Sequence, residues 1–182
     1  MKYMKAIATL KHWQIFLILL SSAFIPYINP LIDKIISFCY FSFFIFWMFS
    51  IGIVLIKEIL QEDKPKANFY NFSCAFFVAV FGVIIFTTDY GIHINNSNYQ
   101  EYGLWLWPLL VLTLYLLWSI MYIFYFTAKV ISLSNMKLND TNDSITTNYF
   151  FAFWFYIIGI WFIQPKVAAL LSKIDDDVYN TK

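Results

Sequence analysis

Apolar residues gather along this chain into blocks of membrane-crossing length, separated by short polar connections. The first block covers residues 10–28, follows Lys2, Lys5 and Lys11, and closes on Pro26 and Pro30. Ser21-Ser22-Ala23 offers small residues of the kind a signal peptidase needs, but the apolar run continues past Ala23 with no polar domain after it, so the block reads as a first span. The second block, 35–56, rises about 33 Å as a helix, enough for a ~30 Å hydrocarbon core. Its short connection to the first block makes the two antiparallel neighbours. A charged segment from Lys57 to Ala67 reads as a solvent-side loop, and a third span follows over 69–88. Residues 89–103 read as an exposed loop. The fourth span, 104–131, opens on Trp105, Trp107 and Pro108, where interfacial aromatics and a first-turn proline are expected. The fifth block, 147–163, is short: its fifteen apolar residues from Tyr149 rise about 22 Å. It either crosses a thinned bilayer, re-enters, or lies at the interface. Gln164-Pro165-Lys166 then marks a membrane exit, with a short surface helix over 167–174 inside a polar C-terminal tail, 164–182. The pattern thus predicts an all-α fold, a polytopic transmembrane helix bundle of about five spans, with residues 1–182 as one membrane-embedded domain.

Composition agrees: 61% of the residues are hydrophobic and 13% charged, about half the charge of an ordinary soluble domain. The net charge of +1 gives no reason to expect nucleic acid or an acidic substrate. Every basic residue is Lys, so the chain lacks the guanidinium fork that grips phosphate or carboxylate with two bonds. Lysine placement predicts a cytoplasmic N-terminus, with Lys2, Lys5, Lys11, Lys57, Lys64, Lys66, Lys129 and Lys137 inside and Lys34, Lys166, Lys173 and Lys182 outside. If the fifth block does not cross, Lys34 alone remains outside.

Candidate chemistry is sparse. Cys39 and Cys74 fall near opposite ends of the second and third spans, on the order of 15 to 20 Å apart along the bilayer normal, and are expected to be free thiols. His12 and His93 are assigned to opposite faces. Asp89, His93 and Glu101, with Asp33, offer oxygen and imidazole ligands on the outer face, but Gly91 breaks the spacing and a solvated loop is the better reading. No ionisable residue is assigned to the middle of a span, where ion paths and proton relays usually show themselves. Motifs for nucleophilic hydrolases, zinc peptidases, phosphate loops and dithiol redox sites are all absent from the sequence.

Two patterns concern packing. Ala75, Ala79 and Gly82 share one face of the third span and suit close helix approach, within the chain or along a homodimer seam. On the fourth span Tyr115, Trp118, Tyr122 and Tyr125 recur as one aromatic stripe beside Ser119. A tyrosine hydroxyl deep in hydrocarbon needs a partner, so the stripe is expected to face protein or a groove for an apolar ligand.

Ala128-Lys129, the later run Ile158-Gly159-Ile160-Trp161-Phe162-Ile163-Gln164-Pro165-Lys166, and the early run Lys11-His12-Trp13-Gln14-Ile15-Phe16 resemble small uncharacterised multi-span membrane proteins of Bacteroidota. Where that group often carries a proline before the Ile-Gly-Ile-Trp core, this chain has Ile157 and Ile158. The resemblance implies a bacterial inner membrane and no assigned activity. The sequence therefore favours a non-enzymatic membrane subunit or helper, without cofactor or metal, whose partners are the lipid bilayer and another membrane protein or itself. A homo-oligomeric channel or transporter for an apolar or weakly polar solute comes second. A membrane enzyme built on the outer loop comes third.

Overall fold

The computed structural model describes residues 2–21, 29–60, 65–87, 99–139 and 146–180, and within them the chain is entirely helical apart from short connections. The helices are α1 (Lys2–Ala8), α2 (His12–Ser21), α3 (Pro30–Leu55), α4 (Asn68–Thr87), α5 (Tyr99–Asn139), α6 (Thr146–Trp154) and α7 (Tyr156–Asn180). Three stretches are long and apolar enough to cross a membrane: Pro30–Leu60, Asn68–Thr87 and Trp107–Asn139. The 20 residues of α4 rise about 30 Å, matching a typical hydrocarbon core.

Local signals fix the ends of α3. Asn29 is its N-cap, with its side-chain oxygen accepting from the Ile32 amide at 2.9 Å, and Pro30 occupies the first turn, where a missing N–H costs nothing. At the other end the helix does not stop at residue 56 but widens into a π-helical turn, Ile56–Leu60. Its Ile56, Ile59 and Leu60 are buried, so the predicted loop begins later than the charges of Lys57 and Glu58 suggest.

Ring contacts set the direction of each helix. Phe38 meets Phe86 and Phe49 meets Tyr70, so α3 and α4 are antiparallel. Phe69 meets Tyr122 and Phe76 meets Tyr115, so α5 turns back along α4 and runs parallel to α3. Beyond Tyr70 both α3 and α5 continue, and the smaller helices gather around those extensions. Helix α2 climbs beside α3, from His12 against Trp161 to Ser21, whose hydroxyl bonds Tyr40 at 2.6 Å. Helix α6 climbs antiparallel to α5, with Phe153 and Trp154 on Phe124. Helix α7 descends from Tyr156, beside Phe44, to Lys173, whose ammonium donates to the side-chain amide oxygen of Asn139 at the end of α5.

The fifth predicted span is therefore two helices. The block 147–163 breaks at Phe155, and the chain returns toward the end from which it came. Because α7 runs on to Asn180, the predicted polar tail is helical, and Pro165 lies inside it without ending it. Pro108 likewise lies within α5, which begins at Tyr99 in the segment predicted as loop. The first predicted span is represented by α2, with residues 22–28 outside the described residues.

The core is lopsided. Trp47, Met48, Ile51, Leu55, Tyr70, Ile123, Ile131, Phe153, Ile160 and Ile163 are almost fully enclosed, and all belong to the end where six helices meet. Among the described residues only α3, α4 and α5 continue toward the Asn29 end. There α5 exposes Trp107, Val111, Leu114, Leu117 and Trp118 along one broad face, an apolar stripe suited to hydrocarbon.

Gly159 makes the α6–α7 corner feasible. A Cβ at that position would run into the carbonyl oxygen of Ala152, a backbone atom that cannot step aside. In an ordinary helix Gly→Ala gains up to about 1 kcal/mol. Here Gly159→Ala is expected to lower stability by about 3 kcal/mol, because the corner must open. Thermal unfolding of the detergent-purified variant checks the sign, and a gain in stability would show that the corner is not tight.

Candidate functional site

Among the described residues, three concave regions and two buried polar knots stand out. One concavity, about 700 Å³, is a groove along the outside of the α3–α4 pair. Phe38, Phe46 and Phe49 of α3 and Val83 and Phe86 of α4 form its walls, and Ala75, Ala79 and Gly82 lie along it. From Asn71 to Phe86 it follows α4 for about 22 Å. The lining is almost wholly apolar. Ser42 contributes a hydroxyl that is shielded from solvent and has no hydrogen-bond partner among the described residues.

The small-residue face thus divides. Gly82 is buried, and a Cβ there would stand 2.8 Å from the Phe38 ring, so this glycine admits α3. Ala75 and Ala79 are exposed along the groove. The inner face of α4 is instead Tyr70, Ser73, Cys74 and Phe77, rotated from the alanines by one residue, or about 100°. Spacing alone does not tell which neighbour each of these small residues meets.

The aromatic stripe of α5 divides as well. Tyr115 and Tyr122 are half-buried against Phe76 and Phe69, whereas Trp118 is 62% and Tyr125 46% exposed. Trp118, Met121, Tyr122 and Tyr125 line a dent of about 190 Å³ with Phe150 of α6. Tyr122 packs against Phe69 at the first turn of α4, and Tyr125 lies one turn further on, 6.0 Å beneath the Lys129 ammonium. Two of the four aromatics therefore sit level with the end of α4, where a hydroxyl reaches polar surroundings. A third concavity, about 350 Å³, lies between α2, α3, α5 and α7 and combines Phe41, Phe44 and Phe124 with Ser37, Tyr40 and Tyr156.

The first polar knot centres on Gln164, which is 1% exposed. Its amide nitrogen donates to the carbonyls of Ala8, at 2.7 Å, and Leu10, while its oxygen accepts from the Trp47 indole at 3.2 Å. The break between α1 and α2 releases those carbonyls, and one amide with two N–H bonds satisfies both. On the other side of the break Gln14 accepts from the Lys11 amide at 2.9 Å, which caps the start of α2. Read as part of a membrane-exit signal, Gln164 shows no such role in the sequence, because the carbonyls it serves belong to a break more than 150 residues away.

The second knot joins all three long helices. The Tyr70 hydroxyl is 2.9 Å from the Met48 carbonyl and 3.1 Å from the Thr127 hydroxyl, which reaches the Ile123 carbonyl at 2.9 Å. Phe49 and Phe126 stack on the tyrosine ring, and Gly52 leaves room for it. The thiols stand apart as expected: Cys39 is exposed and free, Cys74 buried and free. Asp89 and His93 lie outside the described residues, as does the side chain of Glu101. Among the described residues no three His, Cys, Asp or Glu side chains come together as a metal site.

No protein-family model matches the chain, and no curated protein or solved structure is significantly similar to it. Function has to be argued from the surfaces themselves.

Two stability predictions follow from the knots. Gln164→Leu leaves the Trp47 indole and two carbonyls without partners, and is expected to cost about 3 kcal/mol, with earlier proteolysis near Lys5 and Lys11. Gly52→Ala would place a Cβ 2.9 Å from the Tyr70 hydroxyl oxygen. It should cost about 1–3 kcal/mol alone and less when combined with Tyr70→Phe. A double-mutant cycle on melting temperature measures that coupling, and strict additivity would contradict the packing.

Proposed function

We propose that this protein is an integral membrane subunit or helper that acts by receiving a helix of another membrane protein in the α3–α4 groove. The observation that carries the reading is the position of Ala75 and Ala79. They lie exposed beside a groove of about 700 Å³ that follows nearly the whole of a membrane-length helix. In lipid, helices gain little by burying apolar area, since hydrocarbon solvates it equally well, and close backbone approach over small residues is what favours association. The Gln164 amide and the Tyr70 hydroxyl are occupied with holding the bundle together, and the exposed surface of the long helices is largely aromatic and aliphatic. These properties suit a protein that binds through shape.

Orientation belongs to the same proposal. Helices α3 and α5 finish at the end that carries Lys57 and Lys137, and α7 returns Lys166 and Lys173 to that end. With the α6–α7 pair turning back, Lys34 is, among the described residues, the one lysine at the opposite end, which supports a cytoplasmic lysine end in an inner membrane. A homo-oligomeric pore lined by the α5 stripe has less support, because that stripe forms a shallow dent at the level of the α4 terminus.

The test is crosslinking in native membranes followed by gentle purification and mass spectrometry. A stoichiometric foreign chain is expected, and Ala79→Phe, which fills the groove from an exposed position, is expected to reduce its recovery at least tenfold without lowering the melting temperature. Undiminished recovery from the Ala79→Phe protein, or crosslinks to itself alone, would overturn the reading.

A further inference from the structure

The exposed apolar surface ends abruptly along the bundle. At the lysine end its last large members are Phe46 on α3, Phe69 on α4, Tyr125 on α5, Trp13 on α2, and Phe151 and Phe162 on the α6–α7 pair. Past that level α3 to α7 and their flanks expose Lys57, Lys66, Asn68, Lys137, Thr147, Asn148, Ser172 and Lys173 together with Pro165, Ala168 and Ala169, while α1 keeps Tyr3 exposed, a ring with a polar edge. The boundary cuts α6 and α7 in two: each has a watery part and an aromatic part, and the aromatic parts meet at the corner.

That corner carries Phe151, Trp154, Phe155, Ile158, Trp161 and Phe162 outward, with Phe155 62% and Phe162 70% exposed. Its height can be measured. Nine residues separate the corner at Phe155 from Gln164, which sits at the boundary, and nine residues of helix rise about 13 Å. Half of a ~30 Å hydrocarbon core is about 15 Å. The hairpin is therefore too short to cross the bilayer. Tyr156 at its top packs on Phe44 and Gln164 bonds Trp47, three residues further along α3, so α7 leans across α3 and rises by less than its own length.

The edge of this surface is basic. Lys11 precedes α2, Lys66 precedes α4, Lys129 lies one turn past Tyr125, and Lys166 lies two residues past Gln164, so four ammonium groups from four segments share one level. Lysines at that height hold their stems along apolar surface and place their charge among headgroups.

We propose that the α6–α7 hairpin is a re-entrant wedge seated in the lysine-side leaflet, with its aromatic corner among acyl chains and Lys11, Lys66, Lys129 and Lys166 at anionic lipid headgroups. The proposal rests on the membrane-spanning reading given above and adds the partner of this surface, an anionic leaflet. Gly159 permits the return, Gln164 fixes the depth, and the exposed rings occupy hydrocarbon on one side of the midplane only.

The experiment uses the full chain carrying Cys39→Ser and Cys74→Ala, with single cysteines introduced at exposed sites and an impermeant maleimide applied to sealed vesicles of known orientation. Lys66→Cys and Thr87→Cys mark the two ends. Thr147→Cys and Ser172→Cys, which flank the hairpin, are both expected to label from the side of Lys66→Cys. Labelling of Ser172→Cys from the side of Thr87→Cys would mean that the segment crosses, and the wedge would be wrong while the membrane reading stood. Labelling of Lys66→Cys and Thr87→Cys from one side would remove the membrane reading and the wedge together. For the corner, a spin label on Phe155→Cys in nanodiscs is expected to collide with oxygen at least fivefold more often than with an aqueous nickel chelate. A label shielded from both would mean that protein covers the corner, which overturns the lipid assignment. In nanodiscs of phosphatidylcholine, adding phosphatidylglycerol should raise the melting temperature, and Lys11→Gln with Lys166→Gln should abolish most of that rise. An equal rise in the double variant would overturn the headgroup assignment.

Discussion

One side-chain amide connects the two ends of this chain and seats both on the central helix. Gln164 reaches back 156 positions to Ala8 and 154 to Leu10, and accepts a hydrogen bond from Trp47, 117 positions away. A buried amide is costly unless its groups are paired, and a broken helix is costly unless its released carbonyls are paired. Each debt cancels the other here. With this junction closed, α1 and α2 can bend away from each other beside α3, and α7 can descend between α2 and α5. The six-helix end of the bundle depends on that arrangement.

The three long helices were legible because their signal is collective. An apolar run of twenty or more residues leaves few alternatives, and the second and third spans fall within a few residues of α3 and α4. The fifth block failed as a single span because hydrophobicity is silent about direction: residues 149–163 are apolar on both sides of Phe155, and the turn is set by Gly159 lying against Ala152. Nothing near Thr9 or Leu10 announces a break that a residue at position 164 will satisfy. The same limit applies to the candidate surfaces. Spacing found Ala75, Ala79 and Gly82, yet only the neighbours show that Gly82 admits Phe38 while the alanines remain along an open groove. Spacing found the α5 stripe, yet only the Phe69–Tyr122 contact shows how near the end of α4 it lies.

Two parts of the molecule solve the same physical problem differently. Toward Asn29, three helices stand with little between them, and their backbone polar groups are satisfied within each helix, as hydrocarbon demands. Toward the lysines, helices break, widen into a π-turn and reverse, which is tolerable only where side chains or polar surroundings take up the released groups. Gln164 and Gln14 supply such partners at identifiable places.

The Gln164 junction also orders the assembly of the chain during its synthesis. Ala8 and Leu10 are made 156 and 154 residues before Gln164, so the break between α1 and α2 must persist through the synthesis of that stretch with its carbonyls unserved by Gln164. Closing so long a loop carries an entropic cost that grows only slowly with length, but the contact has to wait for its partner to exist. Until then the N-terminal helices are held to α3 by packing and by contacts such as Ser21 with Tyr40. The native arrangement of residues 2–21 is completed only once α7 has been made, which makes α7 the piece that closes this junction as well as part of the surface.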